Sequence, residues 1–297
     1  MKIDQLLADY RTHLLAQDKS HHTITNFGRD IRHCLEFFNA TELASVTASD
    51  VDRWLVSVST LPDGNPKHSN TINRTKTALR SFFAWAHRSG MVTDNPADHL
   101  HIKLVDRLPP TYLTAEEEKR LTDCLRDHSN DIHRQRDSAI IQLLLDTGIR
   151  VGELAQINLS DIDGKHLFIR HQKGGSPIRK FLPSAIRTAI DEYIQGERSK
   201  FVTDTDGNAL FINQQGGRLI SRGVQILVTK WVRLAGIDKP ITPHKLRHTF
   251  ATSLYAKNHD ILVVQKALGH RSIVHTQIYA HVTDDALESA MEERLNR

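Results

Sequence analysis

Apolar residues recur at spacings of three and four through the first hundred positions, the period of a helix with one buried face. Ile24, Phe27, Ile31, Leu35 and Phe38 form one such row. Thr47, Ala48, Ser49 and Asp50 offer the hydroxyl and carboxylate of a capping box just before another apolar run, which predicts a helix start. The clearest helix is predicted over 69–89, with Ile72, Leu79, Phe82, Phe83 and Ala86 on one side and Gly90 as its stop. Its other side carries Asn73, Lys76, Thr77 and Arg80. That polar side reads either as an ordinary solvated face or as a face laid against DNA.

The pattern degrades after Asn95-Pro96, and Pro109-Pro110 cannot continue a helix, because proline lacks the amide donor and crowds the preceding turn. This places a first domain at 1–104, a linker at 105–112 and a second domain at 113–297. Thr114 and Glu117 open the second domain with another capping box, and a helix is predicted from about 131 to 146, ending at Gly148. Short strand-like runs at 167–170 and 179–182 flank Lys173-Gly174-Gly175, which reads as a hairpin loop, and 209–212 is a candidate further strand. Helical patterns resume at 221–234, 244–257 and 261–267. In the tail, Ala286, Leu287, Ala290, Met291 and Leu295 predict a short amphipathic helix, too short to be stable without docking. The expected fold is mainly α with a small antiparallel β-sheet.

Composition narrows the function. The 297 residues, 39% hydrophobic and 25% charged, suit a globular chain of two domains at roughly 100–200 residues each. The formal charge is +4, but 283–297 hold five acids against Arg294 and Arg297, so the rest of the chain sums to +7. That body leans toward nucleic acid, with 18 histidines able to add charge beside an anion. No apolar run approaches the ~20 residues of a membrane span, and no signal core is found at the start, so no membrane partner is expected. Cys34 and Cys124 fit neither a disulfide framework nor a zinc spacing, which points to a cytoplasmic location. Neither GxGxxG after a strand nor GxxxxGK[ST] is found, which excludes nucleotide-driven chemistry.

Cationic and imidazole residues stand out instead: Arg150 within Thr147–Leu154, Lys173, His244 and Arg247 within His244-Lys245-Leu246-Arg247-His248, His270, and then Tyr279. On a helix, His244 and Arg247 share a side, while Leu246, Phe250 and Leu254 form the expected buried stripe. Such a set suits phosphoryl transfer, in which two arginines can hold the extra charge of the transition state with forked hydrogen bonds. A tyrosine of ordinary pKa about 10 is a weak nucleophile until an imidazole or a positive field helps remove its proton. A lysine on a mobile hairpin can return a proton to the leaving alkoxide, and neither metal nor other cofactor is required. The competing reading is a zinc site on His244 and His248, completed by His270, His275 and His281; it lacks a glutamate partner and sets Lys245 and Arg247 beside the cation.

Together and in this order, the segment 147–154, the lysine hairpin, 244–248 and 268–282 resemble the catalytic domain of the tyrosine site-specific recombinases, most closely the Xer type. Residues 23–31 and 80–96 resemble the family's helical core-binding domain. The resemblance implies that Arg150 and Arg247 bind the scissile phosphate, that His244 acts in proton transfer, and that His270 donates to a phosphate oxygen. It further implies that Lys173, with Lys165 and Lys180 as fallbacks, is the general acid, that Tyr279 attacks phosphorus, and that Glu153 is a supporting residue; His248 reads as structural. The implied partners are double-stranded DNA and further copies in a DNA-bound tetramer, alone or with a second related recombinase; the tail reads either as docked on its own catalytic domain or, as the resemblance implies, on a neighbour. A type IB topoisomerase would share the chemistry but relax supercoils. The role expected of a recombinase is chromosome-dimer resolution or mobile-element integration and excision.

Overall fold

A computed structural model describes residues 3–38, 43–104, 110–128, 131–170, 177–203, 207–269, 272–273 and 276–279. The chain forms two compact units, Met1–Asp106 and Arg107–Arg297. The described residues of the first hold four α-helices, α1 (Ile3–Ala16), α2 (His21–Phe38), α3 (Ala48–Val58) and α4 (Ser69–Arg88). The apolar row on α2 faces the core, where Ile24, Phe27, Ile31 and Leu35 are buried against Leu79, Phe82, Phe83 and Ala86 of α4. Tyr10 of α1 meets Phe82 edge-on at 5.1 Å between centroids and donates to Ser81 Oγ at 2.9 Å, so its polar end is satisfied. The capping box of α3 forms as expected, with Asp50 N donating to Thr47 Oγ1 at 3.3 Å and Thr47 N to Asp50 Oδ2 at 2.9 Å.

The polar side of α4 holds the chain that leaves this unit. Lys76 Nζ donates to the His101 carbonyl at 3.0 Å, and the Asn73 amide pairs with both main-chain groups of Lys103 at 2.7 and 3.0 Å. Segment 101–103 is thereby bound along part of the face that the sequence left open to solvent or DNA.

The second unit runs through α5 (Ala115–Asp127), α6 (Arg134–Thr147), α7 (Val151–Leu154), β1 (Ile162–Asp163), β2 (His166–Ile169), β3 (Ile178–Phe181), α8 (Ser184–Tyr193), α9 (Ser199–Phe201), α10 (Ser221–Leu234), α11 (Pro243–Asn258) and α12 (Ile261–Leu268). The strands form an antiparallel sheet in the order β1-β2-β3, with Leu167 opposite Lys180 and Ile169 opposite Ile178. Helix α6 is apolar around most of its circumference and buries Ala139, Ile140, Ile141, Leu143, Leu144 and Leu145, as a helix packed on several sides must. Among the described residues no helix is long and apolar enough to cross a membrane.

The strands begin one residue earlier than the pattern suggests, β1 is additional, and α8 lies outside the expected elements. Residues 209–212 form no strand of the sheet. They make only isolated bridges, Asn158 to Ala209 and Ile212 to Arg218. Leu210 N donates to Ile157 O and Phe211 O accepts from Leu219 N, while side chains serve other groups: Tyr193 Oη accepts from Ile212 N at 3.1 Å, Arg136 donates to Ile212 O at 3.2 Å, and Arg198 donates to Ala209 O at 2.8 Å. Burial and extended chain are thus right for this segment, while several of its partners are guanidinium and phenol groups that periodicity cannot reveal. The amphipathic tail helix expected around 286–295 lies outside the described residues.

Gly148 caps α6 in the left-handed region at φ 57°, and a Cβ there would clash with Phe250 and press on Leu268. Gly148→Ala is expected to destabilise the second unit by about 2 kcal/mol through backbone strain and crowding. Denaturant unfolding measures this, and an unchanged midpoint would show that Phe250 relaxes without cost.

Candidate active site

The turn after α6 sets the first functional side chain. Gly148 reverses the chain, and Arg150 becomes the N-cap of the short helix α7. Its amide donates to Glu153 Oε2 at 3.0 Å and its Nη1 to Glu153 Oε1 at 2.8 Å. One buried carboxylate therefore fixes both main chain and side chain of Arg150, which remains 38% exposed at its tip.

The second group comes from α11, started by the Thr242 cap with Pro243 in the first turn. His244 lies in that turn and Arg247 one turn on. The expected stripe of Leu246, Phe250 and Leu254 is only partly buried. Leu246 is inaccessible and the other two are half-buried, while Arg247 itself is 2% exposed. Its burial has a specific cause. Nη1 donates to the carbonyl of Gly148 and Nη2 to that of Leu268, at 2.9 Å for the latter, so the guanidinium closes the ends of α6 and α12. Burial, with Arg150 nearby, pushes Arg247 down to about 10, which still leaves it a cation at neutral pH.

Arg150, Glu153, His244 and Arg247 line one cleft of about 400 Å³. A larger cavity of about 700 Å³ opens among Phe181, Phe250, Leu254 and Val263. It is mostly apolar, with Asp146, Arg179, Lys180 and Lys266 also on its wall, and none of Arg150, His244 or Tyr279 lines it. Burial, then Arg247 and Arg150, hold the His244 imidazole below its ordinary value.

Tyr279 ends a short helical turn and is 2% exposed, packed with Ala251, Val264 and Leu268. Its hydroxyl is hydrogen-bonded to His248 Nδ1 at 2.7 Å. The ring of His248 meets that of His244 edge-on at 4.6 Å between centroids. Burial, then His244 and the nearby cations, push His248 down to about 4, so its imidazole is neutral at neutral pH. Burial pushes Tyr279 up to about 12 against the pull of Arg247, so the proton stays on the phenol oxygen in this arrangement.

His248, read from the sequence as structural, is thus the partner of the tyrosine. The available signal was its spacing of four from His244, which also fitted a zinc pair. The phenol occupies the Nδ1 position of His248, and among the described residues no three His, Cys, Asp or Glu are placed to hold a metal. His275 and His281 of that reading lie outside the described residues. So do two of the six candidate site residues, Lys173 and His270. Of the fallback lysines, Lys165 is exposed, while Lys180 is buried and donates to two main-chain carbonyls. The structure therefore brings Arg150, His244 and Arg247 into one cleft, and links Tyr279 to it through His248.

The depressed value of His248 has a consequence for stability. Between its ordinary 6.5 and about 4, the unfolded chain binds a proton that the folded chain does not, so stability falls as pH drops through that range. His244 acts in the same direction. Denaturant unfolding at pH 7 and pH 5 should show this loss, and His248→Phe should reduce it; an equal loss in both proteins would remove His248 as a source.

Residues 111–286 match the phage integrase family, and residues 7–90 match the phage integrase N-terminal SAM-like domain. The tyrosine recombinase XerC of Oceanobacillus iheyensis is 33% identical over 288 residues, covering 93% of this chain and 90% of that protein. The tyrosine recombinase XerD of Chlorobaculum tepidum is 37% identical over 221 residues, covering 72% of this chain and 71% of that protein. Among solved structures, XerA recombinase aligns over 99% of both chains at 27% identity and a TM-score of 0.54. The Tn1549 transposon integrase shares the fold over 100% of both chains, at 24% identity and a TM-score of 0.75. With both of its units matched and relatives of this similarity aligned along most of its length, the chain belongs to the phage integrase family of tyrosine recombinases.

Proposed function

We propose that this chain exchanges DNA strands at specific sites by two successive transesterifications through Tyr279. The single observation that carries the reading is the shared cleft of Arg150, His244 and Arg247, with the Tyr279 hydroxyl bonded to His248 one turn along the same helix. In the first step Tyr279 Oη forms a bond to phosphorus while the bond from phosphorus to the 5′ oxygen breaks. The phenol gives up its proton, and Lys173 supplies one to the leaving oxygen. The products are a 3′-phosphotyrosine and a 5′-hydroxyl. Attack by the 5′-hydroxyl of another strand reverses the step and frees the tyrosine. One phosphodiester replaces another of similar energy, so no ATP is consumed.

Arg150 and Arg247 act in this reading on the non-bridging oxygens, with His270 donating to the same phosphate and Glu153 orienting Arg150. His244 serves proton transfer, favoured by an imidazole held below its ordinary value by burial and the arginines and drawn toward protonation by a phosphate dianion-like transition state. Tyr279 rests protonated and packed, so cleavage requires that it leave its apolar surroundings and lose its proton beside the cations. The protein works as a DNA-bound tetramer in which the tail beyond Asp284 docks on a neighbour. Its biological task is chromosome-dimer resolution, which the similarity to XerC and XerD supports, or movement of a mobile element, which the likeness to a transposon integrase supports in fold alone.

Nicked genomic fragments incubated with the chain should yield a covalent protein–DNA adduct, and sequencing of the captured DNA would separate a chromosomal resolution site from the ends of an element. Tyr279→Phe should bind those fragments without trapping them; an adduct formed by the Phe variant would overturn the assignment.

Binding itself should weaken steeply with salt as phosphate contacts release counterions. Lys76 donates to the His101 carbonyl, and a phosphate would compete with that carbonyl for the ammonium. Lys76→Ala is expected to make the slope of log K against log salt shallower by about one. An unchanged slope would place Lys76 outside the interface.

A further inference from the structure

Two helices end at the same place in the second unit. The last carbonyls of α6 and α12 have no partners within their own helices, and each end carries the negative pole of its helix. Left alone, two such ends repel and bury unpaired acceptors. Arg247 takes one carbonyl from each, Gly148 and Leu268. Lys180 takes the preceding carbonyl from each, donating from Nζ to Thr147 O at 2.8 Å and to Ala267 O at 2.6 Å. Two cations from different elements, β3 and α11, thus join the same pair of helix ends at successive carbonyls.

The register connects this joint to the site. Thr147 lies three residues before Arg150, and Ala267 three residues before His270. We propose that Lys180 is a positioning residue, which by bridging Thr147 and Ala267 holds the turn carrying Arg150 and the end of α12 at a fixed separation. This rests on the reading of Arg150 and His270 as phosphate ligands. Lys180 is not itself the general acid: its ammonium is 7% exposed at the level of the residue and is committed to main-chain oxygens.

The energetics favour geometry over stability as its contribution. Burial, then Arg247, push the ammonium down to about 8, with Glu153 pulling it the other way. Keeping a cation there costs free energy that an apolar side chain would not. A methionine would fill a similar volume but leave two carbonyls without donors and the helix ends free to part. A displacement on the order of 1 Å across a catalytic cleft costs about 100-fold in rate.

The test uses the full chain and a nicked duplex carrying a site recovered by covalent capture, once with an ordinary scissile phosphate and once with a neutral methylphosphonate there, which asks less of the surrounding cations. Lys180→Met is expected to bind the duplex within about threefold of the parent chain yet form the adduct about 100-fold more slowly, with the deficit shrinking below about tenfold on the methylphosphonate. Lys180→Arg, which keeps the charge and donors, should recover at least about a tenth of the parent rate. An equal deficit on both substrates, or a parent rate in Lys180→Met, would overturn the proposal. So would losses in both variants that track the folded fraction seen in thermal melting, because Lys180 would then be merely structural. Arg150→Ala is the control for the underlying reading: if its deficit fails to shrink on the methylphosphonate, the phosphate-binding assignment falls, and the proposal with it, whatever Lys180→Met does.

Discussion

A guanidinium held between two helix ends organises the catalytic unit. Arg247 donates to Gly148 and Leu268, so the close of α6, the close of α12 and the start of α11 meet at one side chain. Without it, two buried carbonyls would lose their donors, at about 1–3 kcal/mol each. The same group supplies positive charge to the cleft. Structure and electrostatics are therefore inseparable at this position, and a large loss on its removal cannot be divided cleanly between them.

The charge of the cleft is arranged to be insensitive to pH in the neutral range. Guanidinium groups provide it, and the cations together with burial keep His244 and His248 neutral. Glu153 offsets part of the positive charge while fixing Arg150. An arriving phosphate would reverse the field at the imidazoles, because a nearby anion favours their charged forms. The histidines can thus respond to a nearby anion, whereas the arginines stay charged throughout the neutral range.

The elements with a single apolar face were legible in the sequence. The row on α2, both capping boxes, and helices α4, α10 and α12 follow from spacing and cap chemistry, which act within a few residues. Segment 209–212 was not, because several of its backbone groups are satisfied by the side chains of Tyr193, Arg136 and Arg198. In the site, a supporting role for Glu153 was implied by the family resemblance, and the structure gives its bonds to Arg150. The burial of Arg247 and the bond between His248 and Tyr279 depend on tertiary contacts across 21 to 99 positions. A helical wheel places Arg247 on the side of His244, yet it cannot tell that this side faces two converging carbonyl ends.

The hydrophobic interior is divided. One cluster joins Leu6 through Leu100, another joins Leu113 through Leu246, and no buried residue belongs to both. Each unit therefore has a hydrophobic core of its own, and heat absorbed on unfolding the whole chain need not fit a single all-or-none transition. Where two transitions occur, the calorimetric enthalpy exceeds the van't Hoff value read from the midpoint. A ligand bound to both units would then raise the apparent cooperativity by linking the two equilibria.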